Sequence, residues 1–408
     1  MSATFEYPRV RVMEVVGNAI VGGMERYVLR LLERLPRERF EVTALCPWES
    51  PHSQALRALG WEVLVTPMPH EPSWGSITFA SMLVRTRGID LLHTHLTNAH
   101  LLGALVGQLT DTPVLATIHG REVTIGDLEA HRLAGTHLCA VSRPTYFQAL
   151  ALGVDPQHMH IIPNGIDTQA FRPQRRRDGP LREEFGIPAD VPLVGFVGRL
   201  SWEKGPESFL RAALVAHRAH PQAHFVLVGH GPMFPQCADF IEKFGMGGYA
   251  HLAGLRHDMP TVYGELDLLV STSHSEAMPL ALMEAMACGL PIVATRVGSV
   301  PEMVEHDLSG ALVSPGDFDG TGAQIVKLLS DPAARKAMGE RARQRAVSHY
   351  SLDDCIAHTC ELLAQLAHGT GRTRLRSLPG PPVHATTAAG APDRRSARGH
   401  PGSKSVTG

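Results

Sequence analysis

Two glutamates stand eight positions apart in the segment Ser273-His274-Ser275-Glu276-Ala277-Met278-Pro279-Leu280-Ala281-Leu282-Met283-Glu284-Ala285-Met286-Ala287-Cys288-Gly289. The apolar run Leu268–Ser271 before it reads as a strand. Pro279 fits the first position of a helix, and Gly289 with Pro291 ends it. This places Glu276 in the loop before the helix and Glu284 in its second turn. The amides near Ala277, Met278, Pro279 and Leu280 then point back toward the strand end, where open α/β sheets bind ligands. A helix N-terminus favours an anion. One small region thus offers amides for a phosphate and a carboxylate for sugar hydroxyls. The alternative makes Glu276 a capping residue and puts Glu284 on a solvent face. The apolar flanks Met283, Ala285 and Met286 argue against it.

A second group, Gly198-Arg199-Leu200-Ser201-Trp202-Glu203-Lys204-Gly205, follows the apolar run Leu193–Val197. Arg199 and Lys204 lie on a glycine-bounded loop at a strand's C-terminal end, where two cations can neutralise a diphosphate. At ~4 Å and an effective dielectric near 20, each charge pair is worth on the order of 4 kcal/mol before desolvation. Two solvated surface cations are the bland alternative. Near the start of the chain, Gly22 and Gly23 separate a strand from a helix opening at Met24-Glu25-Arg26. Paired glycines let backbone approach a ligand closely, although a tight turn would use them equally well. His119-Gly120 ends the run Val114–Ile118, at the kind of strand end where active-site side chains collect.

Other patterns carry less. Gly229-His230-Gly231 follows a good strand but lacks the third glycine of a dinucleotide fingerprint. The chain has 23 histidines, yet no His-Glu-x-x-His spacing occurs. His93 and His95 alternate on one strand face and read as a strand-end feature rather than a metal pair. Asp317-Phe318-Asp319 could hold a metal in form, but it leads into a helix, where capping is the better reading. Six scattered cysteines without a Cys-x-x-Cys pair read as free thiols in a reducing compartment. No metal is expected.

The elements that must position these groups are strands alternating with helices. Six candidate strands run from Arg11–Val16 to His137–Val141, and six more from Leu193–Val197 to Ala311–Val313. Several are wholly apolar, as in a parallel sheet buried on both faces. The fold class is α/β, with two Rossmann-like domains at 1–172 and 191–350. A linker rich in Pro, Arg and Asp occupies 173–190, and a last helix 351–368. Residues 369–408 hold seven Gly, five Pro and seven Lys/Arg against one acid. Such a tail has too little apolar surface to offset its ordering entropy, and disorder is expected. The whole chain carries a formal charge of -2 from 38 basic and 40 acidic residues. That balance argues against a nucleic-acid binder. No run reaches the ~18 apolar residues of a membrane span, and Met1–Arg11 lacks the pattern of a signal peptide. The expected location is the cytoplasm.

At this point the chain resembles a retaining glycosyltransferase of the GT-B fold, from the large group 1 family. The resemblance spans about residues 9–368. It rests on Val21-Gly22-Gly23-Met24-Glu25-Arg26, Ile118-His119-Gly120, Val141-Ser142, and Ile162-Pro163-Asn164-Gly165-Ile166-Asp167. It continues through Gly198-Arg199 with Lys204-Gly205, Val228-Gly229-His230-Gly231-Pro232, the Glu276-to-Glu284 spacing, Glu284 through Ala294, and Gly310-Ala311-Leu312-Val313. His230 stands where acidic residues are frequent in relatives. The tail has no family counterpart.

The resemblance implies two facing domains with the site in the cleft, and a last helix crossing back onto the N-terminal domain. Arg199 and Lys204 would contact the donor diphosphate, Glu284 the ribose, and Glu276 the transferred sugar. His119 would lie by the reaction centre, and Gly22 and Gly23 would approach the phosphates across the cleft. The implied reaction moves a hexosyl group from a nucleotide sugar, UDP favoured over GDP-mannose, to a glycan or lipid-linked acceptor. Anomeric configuration is retained, and no metal or other cofactor is required. Two rivals are a GT-B nucleotide-sugar 2-epimerase and a non-catalytic nucleotide-sugar-binding subunit. Arg26, Arg30 and Arg34 fall on one helix face. They form either a solvated strip or a weak contact with the inner face of the membrane.

Overall fold

The computed structural model describes residues 9–20 and 22–369. The basic segment from 370 onward and residues 1–8 lie outside the described residues. Gly369 itself closes the last helix, Leu352–Gly369.

Thirteen strands are present among the described residues, in two wholly parallel sheets. The first contains β1 (Val10–Val16), β2 (Phe40–Cys46), β3 (Glu62–Val65), β4 (Leu91–His95), β5 (Val114–Ile118), β6 (His137–Ala140) and β7 (Met159–Ile161), in the order β3-β2-β1-β4-β5-β6-β7. The second contains β8 (Leu193–Val197), β9 (His224–Val228), β10 (Ala250–Gly254), β11 (Leu268–Ser271), β12 (Ile292–Thr295) and β13 (Gly310–Val313), in the order β10-β9-β8-β11-β12-β13. Both orders reverse direction beside their first strand, between β1 and β4 and between β8 and β11. A doubly wound sheet opens a crevice for ligands at that switch point. Twelve strands match the sequence expectation. β7 does not, because three residues with a histidine in the middle carry no apolar signal.

Each sheet is buried on both faces, as its Val-rich strands require. Val10 and Val12 of β1 pack with Leu31 and Leu32 of the first helix, Gly23–Arg34, while Met13 and Val15 pack on the other face with Leu92 and Leu102. The last helix joins the first of these clusters. Leu352, Ile356, Leu363 and Leu366 are buried against the N-terminal domain, so the chain does cross back. The crossing point is pinned by backbone: the Ile166 N–H donates to Tyr350 O at 2.7 Å, and the Leu352 N–H to Ile166 O at 3.0 Å. Gly165 is required there, since a Cβ would come within 2.5 Å of the Leu352 Cα.

Residues 173–190 are firmly anchored. A short helix, Pro180–Glu184, interrupts them. Arg177 binds both carboxylate oxygens of Asp267, at 2.7 and 2.9 Å, and Arg175 and the fully buried Arg182 reach the same carboxylate at 3.1 and 3.3 Å.

Candidate active site in the interdomain cleft

The ends of the strands beside the two switch points face one cleft of about 650 Å³. All of the sequence-predicted site residues line it. Gly22 and Gly23 come from the loop after β1, and His119 from the end of β5. Arg199 and Lys204 come from the loop after β8. Glu276, Ala277, Met278, Pro279, Leu280 and Glu284 come from the loop and helix after β11.

The Glu284 helix runs Leu280–Ala287, and Pro279 is its cap rather than its first residue. Proline has no N–H, so the free donors at this end are the amides that follow it. No side chain caps them, which leaves them for an anion. Glu276 is held from behind. The Gly298 backbone, at φ 52°, runs so close to the Glu276 carbonyl that a Cβ would lie 1.7 Å from the oxygen. The Ser273 hydroxyl donates to Glu276 Oε1 at 2.6 Å.

Lys204 and Glu276 meet each other. Lys204 Nζ reaches both carboxylate oxygens at 2.7 Å, with Glu276 almost wholly buried. The ammonium has three protons. Two are engaged here, and one remains for a phosphate. Arg199 is different: it is exposed, and its side chain has no ion-pair or hydrogen-bond partner among the described residues. It is therefore the cation with its full donor set available.

Glu284 is buried rather than solvent-facing. The Tyr263 hydroxyl donates to its Oε2 at 3.0 Å, and Arg30 approaches its Oε1 at 3.4 Å from the opposite domain. Burial pushes the carboxyl up, and Arg30, Arg26 and Tyr263 offset part of that rise. A carboxylate offers about four lone-pair sites, so two hydroxyls can still be accepted.

The arginine strip is corrected by this geometry. Arg26 lines the cleft, Arg30 is 19% exposed and paired with Glu284, and Arg34 binds Asp167. Arg26 and Arg30 thus face the cleft and the C-terminal domain, while Arg34, half-buried, also meets Glu33 on its own helix, so the three do not form one free strip. Their spacing was legible, but their partners were not: Glu284 lies 254 positions from Arg30.

Gly22 and Gly23 differ in kind. A Cβ at Gly22 would meet the Glu25 carboxylate at 2.6 Å, whereas one at Gly23 would meet nothing within 4 Å and would occupy cleft space. His230 is exposed in the cleft and stacks on Phe234 at 4.9 Å. Arg256 and Asn164 also line the cleft; Asn164 stands in the Ile162–Asp167 motif but had no role assigned, and no spacing pointed to Arg256. The Asn164 Nδ2 donates to the Met278 carbonyl at 3.4 Å, joining the two domains, while its Oδ1 is buried with no partner among the described residues. Asp317 caps the helix Phe318–Ser330, its Oδ1 accepting the Gly320 N–H at 2.7 Å. All six cysteines are buried free thiols. The one group of three ligand-type side chains close enough to share an ion, among the described residues, is Glu14, His93 and His95. Their atoms already hydrogen-bond to one another.

Two family models match successive parts of the chain. Glycosyltransferase Family 4 covers residues 21–170, and Glycosyl transferases group 1 covers 179–345. The chain belongs to the group 1 glycosyltransferases. Among relatives, the UDP-Gal:alpha-D-GlcNAc-diphosphoundecaprenol alpha-1,3-galactosyltransferase of Escherichia coli is 24% identical over 85% of this chain and 94% of its own length. The D-inositol 3-phosphate glycosyltransferase of Corynebacterium jeikeium is 29% identical over 82% of this chain and 90% of its own. Anabaena HepE, solved in complex with UDP and glucose, aligns with a TM-score of 0.76 at 22% identity, over 87% of this chain and all of the other. That likeness establishes the GT-B fold. The chain is a glycosyltransferase, with its cleft between two Rossmann-like domains.

Proposed function

We propose that this glycosyltransferase moves a hexosyl group from a UDP-sugar to a glycan or lipid-linked acceptor, with retention of configuration and without a required metal or cofactor. The observation that carries the reading is the Arg199 guanidinium, unpaired among the described residues, set in one cleft with the uncapped amides before Glu284 and two buried carboxylates. A departing nucleoside diphosphate gathers negative charge. That Arg199, Lys204 and the residues of the helix start line one cleft supports their stabilising that charge. Preorganised donors of this kind are the usual largest contribution to such catalysis. Glu284 accepts ribose hydroxyls, Glu276 meets the transferred sugar, and His119 lies at the reaction centre. The cations already supply what a metal would supply to the phosphates. UDP is favoured over GDP because relatives named or solved with a nucleotide carry uridine.

No described helix is long and apolar enough to cross a membrane. A lipid-linked acceptor would reach the cleft from the cytoplasmic leaflet by peripheral contact. Arg30 does not provide that contact, being paired with the buried Glu284, and Arg34 is already paired with Asp167 and Glu33. The test is a thermal-shift screen of nucleotides and nucleotide sugars. Ligand at a hundred times its dissociation constant stabilises by about 2.7 kcal/mol. A clear rise in melting temperature with UDP and UDP-hexoses, exceeding that with GDP and GDP-mannose, is expected. No shift with any of them would overturn the reading.

A further inference from the structure

Behind His119 runs a chain of buried polar side chains that the diphosphate chemistry does not use. Glu14 on β1 stands opposite His93 on β4 in the strand register, with His95 opposite the neighbouring Val16. The Glu14 carboxylate contacts His93 Nδ1 at 3.1 Å and, through its other oxygen, His95 Nε2. His93 Nε2 lies 2.8 Å from the Thr117 hydroxyl on β5. His95 Nδ1 lies 2.9 Å from His119 Nε2. Glu14, His93 and His95 are each at most 1% exposed. The chain therefore ends in the cleft at His119 and nowhere else among its members.

Proton positions follow from this geometry. Burial alone would push Glu14 up, but the charges and hydrogen bonds of His93 and His95 hold it down at about 2. As a carboxylate it can only accept. His95 Nε2 must then carry a proton and donate it to Glu14. Burial, reinforced by His93 and opposed by Glu14, lowers His95 to about 4, so at neutral pH the ring is uncharged. An uncharged imidazole with a proton on Nε2 has a bare Nδ1. That nitrogen can only accept, so the facing His119 Nε2 must donate. His119 is itself held uncharged by burial and by its two histidine neighbours. Its own Nδ1 is consequently bare. Nδ1 is the ring nitrogen not engaged by His95, on a residue that lines the cleft.

We infer that Glu14 and His95 are positioning residues that fix His119 in the Nε2–H tautomer, so that Nδ1 presents a lone pair to a hydroxyl group in the cleft. The inference rests on the donor site proposed above and sharpens one part of it. His119 accepts a hydrogen bond from a sugar or acceptor hydroxyl, and it neither donates to the leaving phosphate nor carries positive charge. One packing contact holds the His119 ring, and a backbone feature lies beside His95. The Tyr27 ring meets His119 edge-on at 4.9 Å, and its hydroxyl lies 3.5 Å from that of Thr359 on the cross-over helix. Leu96, the residue after His95, takes φ 75°, a conformation glycine prefers, as the strand turns into the next helix. Backbone strain of this kind collects where a side chain must be held in place.

The test reads the tautomer directly. Long-range proton–nitrogen NMR of the full chain labelled with nitrogen-15 histidine should show His119 with Nε2 protonated and Nδ1 bare at neutral pH. A dominant Nδ1–H form, a charged ring or an averaged mixture in the wild type would overturn the inference, whether or not any variant folds. His95→Phe removes the acceptor that His119 faces. The folded variant should show a mixed His119 tautomer. It should also lose about 10–100-fold in kcat, the scale of a misplaced reacting group, with UDP affinity unchanged. An unchanged tautomer, or an unchanged kcat, would contradict the positioning role. Absence of UDP-sugar turnover in the wild type would sink the proposed donor and leave the tautomer measurement to stand or fall by itself.

Discussion

Glu284 is buried in the cleft, held by the Tyr263 hydroxyl and approached by an arginine from the opposite domain. A hydrogen bond to a charged group is worth roughly 1.5–3 kcal/mol. Glu284→Ala should therefore weaken UDP binding about tenfold or more in calorimetry. Arg30→Ala should spare most of that affinity, because Arg30 meets Glu284 at only 3.4 Å while Tyr263 stays in place. The sign of the pH effect is fixed as well. The Glu284 carboxyl is pushed up by burial, net of Arg30, Arg26 and Tyr263, so it takes up a proton earlier than an ordinary glutamate as pH falls. UDP affinity should begin to drop above the usual carboxylate range, and Glu284→Gln should flatten that limb. Arg199 and Lys204 should separate in kinetics. Arg199→Ala removes a donor with no other partner among the described residues, and kcat should fall about 10²–10³-fold with little change in melting temperature. Lys204→Ala also strands the buried Glu276, so it should lower stability along with rate. The apolar flanks of Glu284 made its burial readable from the sequence. The partners of Lys204 and Arg30 were not: Lys204 meets Glu276, 72 positions on, because β8 and β11 are neighbours in one sheet, and Arg30 meets Glu284, 254 positions on, because the two sheets face each other.

At the scale of elements, the strands that carry the site were legible because parallel sheets buried on both faces demand largely apolar runs, and β5, β8 and β11 have them. The strand ends follow, and with them the loops that carry His119, Arg199 and Glu276. β7 escaped for want of such a run. Pro279 was one place off because a proline before a helix serves equally as cap or first residue. The cross-over helix offers the test at this scale. Leu363 is 1% exposed within the N-terminal core, although its helix follows the C-terminal domain in sequence. Leu363→Ala should cost about 2–5 kcal/mol, measured by urea denaturation monitored in the N-terminal domain. A loss of under about 0.5 kcal/mol, the size of a surface change, would show that the helix does not pack there.

For the whole molecule, the buried histidines set an acid limit. His95 and the partly buried His137 and His251 are each lowered from 6.5 to about 4, by burial first and then by neighbouring histidines. Above the unfolded value they are neutral in both states and cost nothing. As pH falls from 6.5 toward 4 the unfolded chain binds protons that the native chain refuses. Stability must then drop, by up to about 1.4 kcal/mol per pH unit for each such group. Glu14, lowered from 4.5 to about 2 by His93 and His95 against the opposing effect of burial, continues the loss below pH 4.5. Urea midpoints measured across this range should decline steadily from pH 6.5 downward. A flat profile to pH 4 would mean that these histidines are solvated.

The central claim is that the cleft cleaves a nucleotide sugar with its own cations and returns the sugar with its configuration kept. Proton NMR of the anomeric signals settles this most directly, in a reaction containing the enzyme, an α-linked UDP-hexose, a glycan acceptor or water, and EDTA. The account predicts that turnover persists in EDTA and that the first product carries the α configuration. A β product, or turnover that stops in EDTA and returns with Mg²⁺ or Mn²⁺, would contradict it.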